Sequence, residues 1–540
     1  MRIPVKFLNF NESAPDKGYW DQHFLLEIFK RPEFEIVEAL DEQGFGVVVV
    51  PGRQNVGNID KINNYISRLQ GVLFILTGEE EGAFEIEKIT HPNIKIWLMT
   101  PQQGRLYTNV DKFFGDGHTP HMSQLPKEVP DKTLRWFFAG QATNQRRYDC
   151  CNELRRLNDG ELVESPTFAG GLSQEEYVKK MAISRVVPCP GGPQIPDTFR
   201  VFEALEAGCI PLVDEYSAKS LSKGYWHMIF GENIPFPIVR DWTDARGLIN
   251  YFNDTFTHES NKIFAWWQMY KRNFANDLID HYCIVAGVTS PRDAITVLVP
   301  TSPIASNPDT SMIEETIASI RAHLPEAEIL LTFDGVRAEQ EARRANYEEF
   351  TRKVLWKCNR QWHNVIPMVF EEHVHQVGMA RAAMKVIRTR QLLYVEHDAP
   401  LTPDMPIEWD KLTEAIDTNQ ADLIRFHFEA KIPEVHNHMM LDSEPQIICG
   451  APMVRTVQWS QRPHLASTVF YKRILDEHFS WMAKSFIEDK MHSVVLTAWD
   501  LQQLHGWNLF KLWIYHPEGN IKRSYNLDGR GDEKKYDMIF

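Results

Sequence analysis

The sequence is short of positive charge. Its 58 Lys and Arg stand against 73 Asp and Glu, a formal net charge of -15, so no global basic field draws the chain onto nucleic acid or an anionic membrane, although a local groove can still be basic. Cysteine is scarce and unpatterned. Cys150, Cys151, Cys189, Cys209, Cys283, Cys358 and Cys449 form an odd set without Cys-x-x-Cys spacing, which argues against a disulfide framework or structural zinc and for free thiols in a reducing cytoplasm. Long apolar runs are missing. The longest, GVVVV and VLFIL, are strand-sized and far below the roughly 20 residues of a membrane span. The start, MRIPVKFLNFNES, lacks the basic and apolar segments of a signal peptide. A cytoplasmic protein without a transmembrane anchor is expected. Solenoid-period repeats and low-complexity tracts are absent too.

What is present is ordinary globular material in quantity. With 540 residues and 43% hydrophobic side chains, the chain exceeds what one core usually serves, so two or three domains are expected. The first stretch alternates β-branched runs (VKFLNF, FGVVVV, VLFIL, IKIWLM) with a helical segment, the βα rhythm of a parallel sheet. A loop rich in Gly, His and Pro follows, and a second series opens at LRWFFAG, setting a boundary near residue 130. After the Trp-rich helical stretch FAWWQMYKRNFANDLIDHYC, a linker near residues 286–293 precedes a third series that starts with AITVLVPTSP. The expected domains are therefore 1–130, 131–288 and 292–540, all α/β.

The most informative segment of the first part runs from Pro188 to Val213. It reads as a loop, a short helix capped by Asp197 or Thr198, a left-handed stop at Gly208 and a buried strand. Free amides and the helix dipole at that N-terminus suit a pyrophosphate, with Gly191 and Gly192 permitting close approach, Arg200 adding charge and Glu203 one turn on in reach of ribose hydroxyls. An ordinary Gly-rich turn is the alternative. Asp197-Thr-Phe-Arg200, Phe202-Glu203-Ala204-Leu205-Glu-Ala-Gly208-Cys209-Ile210-Pro211 and the upstream Trp136-Phe137-Phe138-Ala139-Gly140 with Arg146 and Arg147 resemble the C-terminal half of exostosin-like glycosyltransferases of GT-B fold. That resemblance implies donor recognition by Arg146 or Arg147, Thr198, Arg200 and Glu203; the family more often has serine at the position of Thr198. A direct-displacement enzyme also needs a base facing the donor. Asp16 and Asp21 after the first strand, and Asp116, His118 and His121 in the interdomain loop, are the candidates, with Asp116 and His118 put forward. A solvated loop residue or helix cap is the alternative for each.

The third series opens with a strand, Ala294 to Pro300, and a polar loop, Thr301-Ser302-Pro303. After the helix MIEETIASIRAHL, the strand Glu328 to Phe333 ends at Asp334-Gly335, so polar groups gather at the carboxyl ends of strands, where open α/β sheets bind ligands. A helix, GMARAAMKVIRT, leads to the strand Gln391 to Val395, which delivers Glu396-His397-Asp398, a placement that suits a hard divalent cation or, alternatively, a turn cap. These segments resemble the nucleotide-binding half of family-two-like GT-A glycosyltransferases. The resemblance implies Asp398 and Glu396 as metal residues in place of the Asp-x-Asp motif, Asp334 on the base and Thr301 at the first strand's end. It also implies that Asp489, with Glu488 beside it, is the general base, and that His516 completes the metal shell. Arg381, Lys385 and Arg388 share one helix face and read as solvated. Most of the late tryptophans read as core.

The sequence thus implies an α/β chain in which a GT-B unit of two Rossmann-like halves precedes a GT-A Rossmann-like domain. The expected activity is a two-module, bifunctional glycosyltransfer from nucleotide-sugar donors such as a UDP-sugar, with Mn²⁺ or Mg²⁺ in the C-terminal module. Acceptors to consider are glycans, lipid-linked sugars or the hydroxymethylated bases of viral DNA. The reading from another class makes one module a non-catalytic binding platform for the other.

Overall fold

Strands too apolar to face water on either side have to be covered on both, and the first 291 residues solve this with parallel sheets. A computed structural model describes residues 2–167, 170–289, 295–427, 432, 434–516 and 522–527; the linker expected at 286–293 falls partly on residues 290–294, outside the described residues. The chain divides into two compact units, Met1–Pro291 and Arg292–Phe540.

The first sheet of unit 1 contains β1 (Ile3–Phe7), β2 (Phe34–Ile36), β3 (Phe45–Pro51), β4 (Gly71–Thr77), β5 (Ile94–Met99) and β6 (Lys112–Phe114), in the order β2-β1-β3-β4-β5-β6. Every pairing is parallel. All seven residues of β4 are buried. The helix Ile59–Ile66 turns Ile59, Ile62 and Ile66 onto the sheet, the helical spacing of an amphipathic face.

The second sheet contains β7 (Leu134–Gly140), β8 (Glu161–Glu164), β9 (Ser184–Cys189), β10 (Ile210–Asp214) and β11 (Ile238–Val239), ordered β11-β10-β9-β7-β8 and again parallel. Between β9 and β10 the helix Phe199–Glu206 starts at Thr198, whose side chain makes no capping bond, and Gly208 at φ +63° ends it. The helix segment expected after β1 is shorter than its pattern suggests: a 3-10 turn, Trp20–Gln22, and then His23–Ile28.

A 31-residue helix, Phe256–Ala286, about 46 Å long at 1.5 Å per residue, packs against β3, β4 and β5 of the first sheet and against β10 and the helix Phe199–Glu206 of the second. Its Phe274 meets Phe24, Trp97 and Phe114 at centroid distances of 5.1, 5.1 and 5.4 Å. Trp267 stacks on Phe24 and Tyr270 and meets Phe202. Beneath this aromatic seam Glu206 accepts hydrogen bonds from Trp267 Nε1 and Lys271 Nζ, both 2.8 Å.

In unit 2 a nine-stranded mixed sheet runs β14-β13-β12-β15-β19-β16-β20-β18-β17. Its strands are β12 (Ile295–Thr301), β13 (Glu328–Phe333), β14 (Val365–Val369), β15 (Gln391–Tyr394), β16 (Leu423–Phe426), β17 (Gln446–Ile448), β18 (Ala451–Arg455), β19 (His464–Ser467) and β20 (Leu512–Tyr515). β12 to β15 pair in parallel, while β19 is antiparallel to both of its neighbours, β15 and β16. The α/β class and the Rossmann-like halves are thus as the sequence implies, with an antiparallel extension in unit 2. Trp459, Trp507 and Trp513 are core, whereas Trp481 is 83% exposed. Arg381 is not solvated: it donates to the carbonyls of Leu475, Phe479 and Ser480. Six of the seven cysteines are buried thiols; Cys449, in the β17–β18 turn, is partly exposed. Among the described residues no helix is long and apolar enough to cross a membrane.

Burial alone would raise the Glu206 pKa, but Lys271, His118 and the Trp267 hydrogen bond hold it down at about 2. A depressed carboxylate pKa stabilises above the unfolded value of 4.5 and loses that contribution as pH falls toward 2, on the order of 3 kcal/mol in all. Calorimetry should therefore show Glu206→Gln melting several degrees below the parent at pH 7, with the gap closing as the pH is lowered from 4.5 toward 2.

Candidate functional site

The carboxyl ends of both sheets in unit 1 open on one cleft of about 800 Å³. Its second-sheet wall carries Gly192, Thr198, Arg200 and Glu203 from the loop and helix after β9, Gly140 from the end of β7 and Arg147 from the next helix. A side chain at Gly192 would put its Cβ 2.8 Å from the Ile195 carbonyl, so only glycine keeps that wall open. Arg200 lies over the Phe138 ring at 4.5 Å and donates to the Ala139 carbonyl. Arg147 donates to the Gln141 carbonyl. Burial and then the charge of Arg200 lower the Arg147 pKa to about 10. The Nε atoms of both arginines and the Thr198 hydroxyl are buried without a hydrogen-bond partner among the described residues. Two guanidiniums and a helix start around one space could hold an anion.

The facing wall carries Trp20, Asp21, Glu80, Asp116, Thr119 and His121. Asp116 donates its backbone N–H to Asp197 Oδ2, which also accepts from Tyr225 at 3.1 Å. Burial, with Asp197 beside it, raises the Asp116 pKa well above the carboxylate range, and burial raises that of Asp197. Burial also lifts Asp21 to about 6. Glu203 is not free to take a ribose: it accepts from Thr119, from Tyr177 at 2.6 Å and lies 3.0 Å from His121 Nε2. His121 is in turn flanked by Trp20.

Other residues named from the sequence are placed elsewhere. His118 does not line the cleft; it is 6% exposed, with Nε2 3.9 Å from Glu206. Arg146 grips the buried Asp214 with Nε and Nη2 and donates to the Arg240 carbonyl. Gly191 lies behind the wall, donating to Asp214 Oδ2 at 3.1 Å, where a Cβ would strike the Tyr216 carbonyl at 2.1 Å. Asp16 pairs with Lys6 at the surface.

Unit 2 has a cavity of about 810 Å³ at the carboxyl ends of β12, β13 and β15. Thr301, Asp334, Glu396, Asp398, Glu488 and Asp489 all line it, so four segments far apart in sequence meet here. Glu396 accepts from Gln376 Nε2 at 2.7 Å. Burial, then the charges of Asp398 and Glu488, push its pKa up to about 8. Glu488 accepts from the Gln461 backbone N–H at 2.9 Å, and Asp489 is exposed in the first turn of the helix Ile487–Gln502. Crowded carboxylates are oxygen donors of the kind that hold Mg²⁺ or Mn²⁺. Among the described residues no three His, Cys, Asp or Glu converge as a complete metal cage; one or two carboxylates completed by substrate phosphates is the common Mg²⁺ arrangement. His516 is not in the cavity, its backbone N–H donating to Pro452. Thr301 is turned inward, its hydroxyl donating to the Thr332 carbonyl and lying 3.2 Å from that of Tyr347. Arg337 and Arg343, which no sequence motif marks, also line the cavity.

A family model described as the RXYLT1 C-terminal domain matches residues 168–282, which contain the Gly192–Glu203 wall. No curated protein matches the chain. Among solved structures the chain is similar to S. aureus TarS 1-349 in complex with UDP-GlcNAc, at a TM-score of 0.27 and 14% identity over 46% of this chain and 62% of that one. It is similar to the mannosyltransferase PcManGT from Pyrobaculum calidifontis in complex with GDP-Man and Mn2+, at 0.24 and 12% over 42% and 59%. It is similar to the bifunctional IspDF from Campylobacter jejuni, at 0.23 and 12% over 43% and 52%. The matches thus span less than two thirds of each of those chains.

An anion between Arg147 and Arg200 would relieve their repulsion. Inorganic pyrophosphate at a hundredfold its Kd should stabilise the protein by about 2.7 kcal/mol, read as a rise in Tm, and Arg200→Ala should remove most of that rise.

Proposed function

We propose that the chain is a glycosyltransferase that draws on nucleotide-sugar donors, with one donor cavity in each unit. The observation that carries this reading is the meeting of Arg147, Arg200 and the unpartnered Thr198 hydroxyl at a helix N-terminus inside a cleft between two parallel sheets. That grouping suits a diphosphate and needs no metal. The RXYLT1 C-terminal domain match, a glycosyltransferase-related family, covers Thr198 and Arg200 of that grouping and supports it. In this reading residues 1–130 form the acceptor half, residues 131–288 the donor half of a GT-B unit, and residues 292–540 a GT-A domain.

In unit 1 the base for the acceptor hydroxyl is His121. Glu203 lies 3.0 Å from its Nε2, as a carboxylate orients a catalytic imidazole, and the Thr119 hydroxyl, 3.0 Å from Nδ1, has to give way for that nitrogen to take the proton. The hydroxyl proton passes to the imidazole, the acceptor oxygen attacks the anomeric carbon, and the diphosphate leaves against Arg147 and Arg200. Asp116, whose pKa is raised by burial and then by Asp197, is a weaker candidate for the base than His121.

In unit 2 Asp398, with Glu396 beside it, would hold Mn²⁺ or Mg²⁺, and a bound cation would neutralise charge on the leaving diphosphate. Asp489, exposed on the cavity wall, accepts the acceptor proton, while Glu488 fixes the Gln461 segment.

Hydrolysis of a nucleotide-sugar panel with and without Mn²⁺, followed by released nucleoside diphosphate, tests both cavities. Metal-stimulated release should fall at least a hundredfold in Asp398→Ala, on the scale of losing one electrostatic stabiliser. Metal-independent release should fall similarly in His121→Ala, with kcat affected more than KM. Unchanged rates in both variants would refute the assignment, and silence of one cavity would make it a binding platform.

A further inference from the structure

The carboxylate that sequence resemblance assigns to the nucleobase in unit 2 is already filled by the protein. Asp334 is 3% exposed. Its Oδ1 accepts the backbone N–H groups of Gly335 at 2.9 Å and Val374 at 2.7 Å. Its Oδ2 accepts the His375 N–H at 3.1 Å, which is shared with Oδ1 at 3.2 Å, and lies 2.7 Å from His373 Nδ1. Three backbone N–H groups bond this carboxylate, and the His373 ring nitrogen crowds Oδ2 without completing a hydrogen bond. With Asp334 buried and His373 packed against Oδ2, the imide N–H of uracil or thymine has no open approach to it.

The bonds have a visible structural purpose. His375 starts the helix His375–Val386 with φ at +60°, a conformation that costs energy for a non-glycine residue. Asp334 holds the turn that contains it.

Three residues after Asp334, Arg337 lines the same cavity, and Arg343 lines it farther along. Neither guanidinium makes an ion pair or a side-chain hydrogen bond among the described residues. Arg337 stands close enough to the His375 ring that its charge, after burial, lowers the His375 pKa. Beside Asp334 the cavity therefore offers the donors of Arg337 where resemblance would put an acceptor. A guanidinium matches two adjacent acceptors, and the O6/N7 edge of guanine supplies such a pair. Uracil puts its imide N–H between its two carbonyls.

We infer that Arg337 reads the donor base in unit 2 through a two-acceptor edge such as that of guanine, and that Asp334 is a positioning residue for the Val374–His375 turn. The inference rests on the nucleotide-sugar reading of this cavity proposed above. Discrimination of about tenfold or more follows from one bidentate pair. Lysine at 337 would keep the charge and lose the fork.

The test is calorimetric binding of GDP and UDP, at constant Mn²⁺, to the full chain carrying Arg147→Ala and Arg200→Ala so that the cleft of unit 1 contributes little. GDP should bind at least tenfold tighter than UDP. Arg337→Ala and Arg337→Lys should both erase that preference, and Asp334→Asn should weaken the two nucleotides alike. UDP binding as tightly as GDP, or a preference untouched by Arg337→Ala, would overturn the inference while leaving the nucleotide reading intact. Failure of both nucleotides to bind would remove that reading and the inference with it.

Discussion

Two carboxylates one turn apart on a short helix set the geometry of unit 1. Glu206 is sealed in the interior, where an unpaired charge would be costly, so Trp267 and Lys271 of the long helix must come to it. Glu203, on the same helix, reaches the loop after the first sheet through Thr119 and His121. The helix Phe199–Glu206 is therefore clamped at one end to the 31-residue helix and along its length to the opposite half. Its free N-terminus can only point into the cleft, which is where Thr198 and Arg200 stand.

Unit 2 reaches a comparable concentration of charge by another route. Parallel strands buried on both faces leave their polar groups to the loops at the carboxyl ends, and three such ends bring Thr301, Asp334 and Glu396–Asp398 together. The helix Ile487–Gln502 adds Glu488 and Asp489 to the same space. The outcome is a cavity lined both by carboxylates and by Arg337 and Arg343.

Much of this fold is readable in one dimension because its signals are local. The β-branched runs of β3 and β4, the glycine stop at Gly208 and the strand leading into Glu396-His397-Asp398 all depend on near neighbours in sequence. The choice of partner by a polar side chain does not. Nothing near Arg146 tells that it turns to Asp214 while Arg147 turns to the cleft, because Asp214 arrives from 68 residues away. Helical periodicity puts Arg381 with Lys385 and Arg388 on one face, yet the carbonyls it serves belong to residues 475–480. Glu203 reads as a ribose ligand until Thr119, His121 and Tyr177 are folded against it, and Asp334 reads as a base ligand until the 373–375 turn closes over it. Arg337 and Arg343 have no motif at all; a charged loop after a strand looks like solvent-facing sequence.

One feature of the cysteines bears on how this molecule can be observed. Six thiols are shut away from water, among them Cys150, Cys189 and Cys209, and only Cys449 has partial access, in the β17–β18 turn at φ +49°. Thiol reagents act on accessible, ionisable sulfur, so a maleimide fluorophore or spin label added to the native chain has one favoured address. Mobility within unit 2 can thus be followed from a single label with no residue changed.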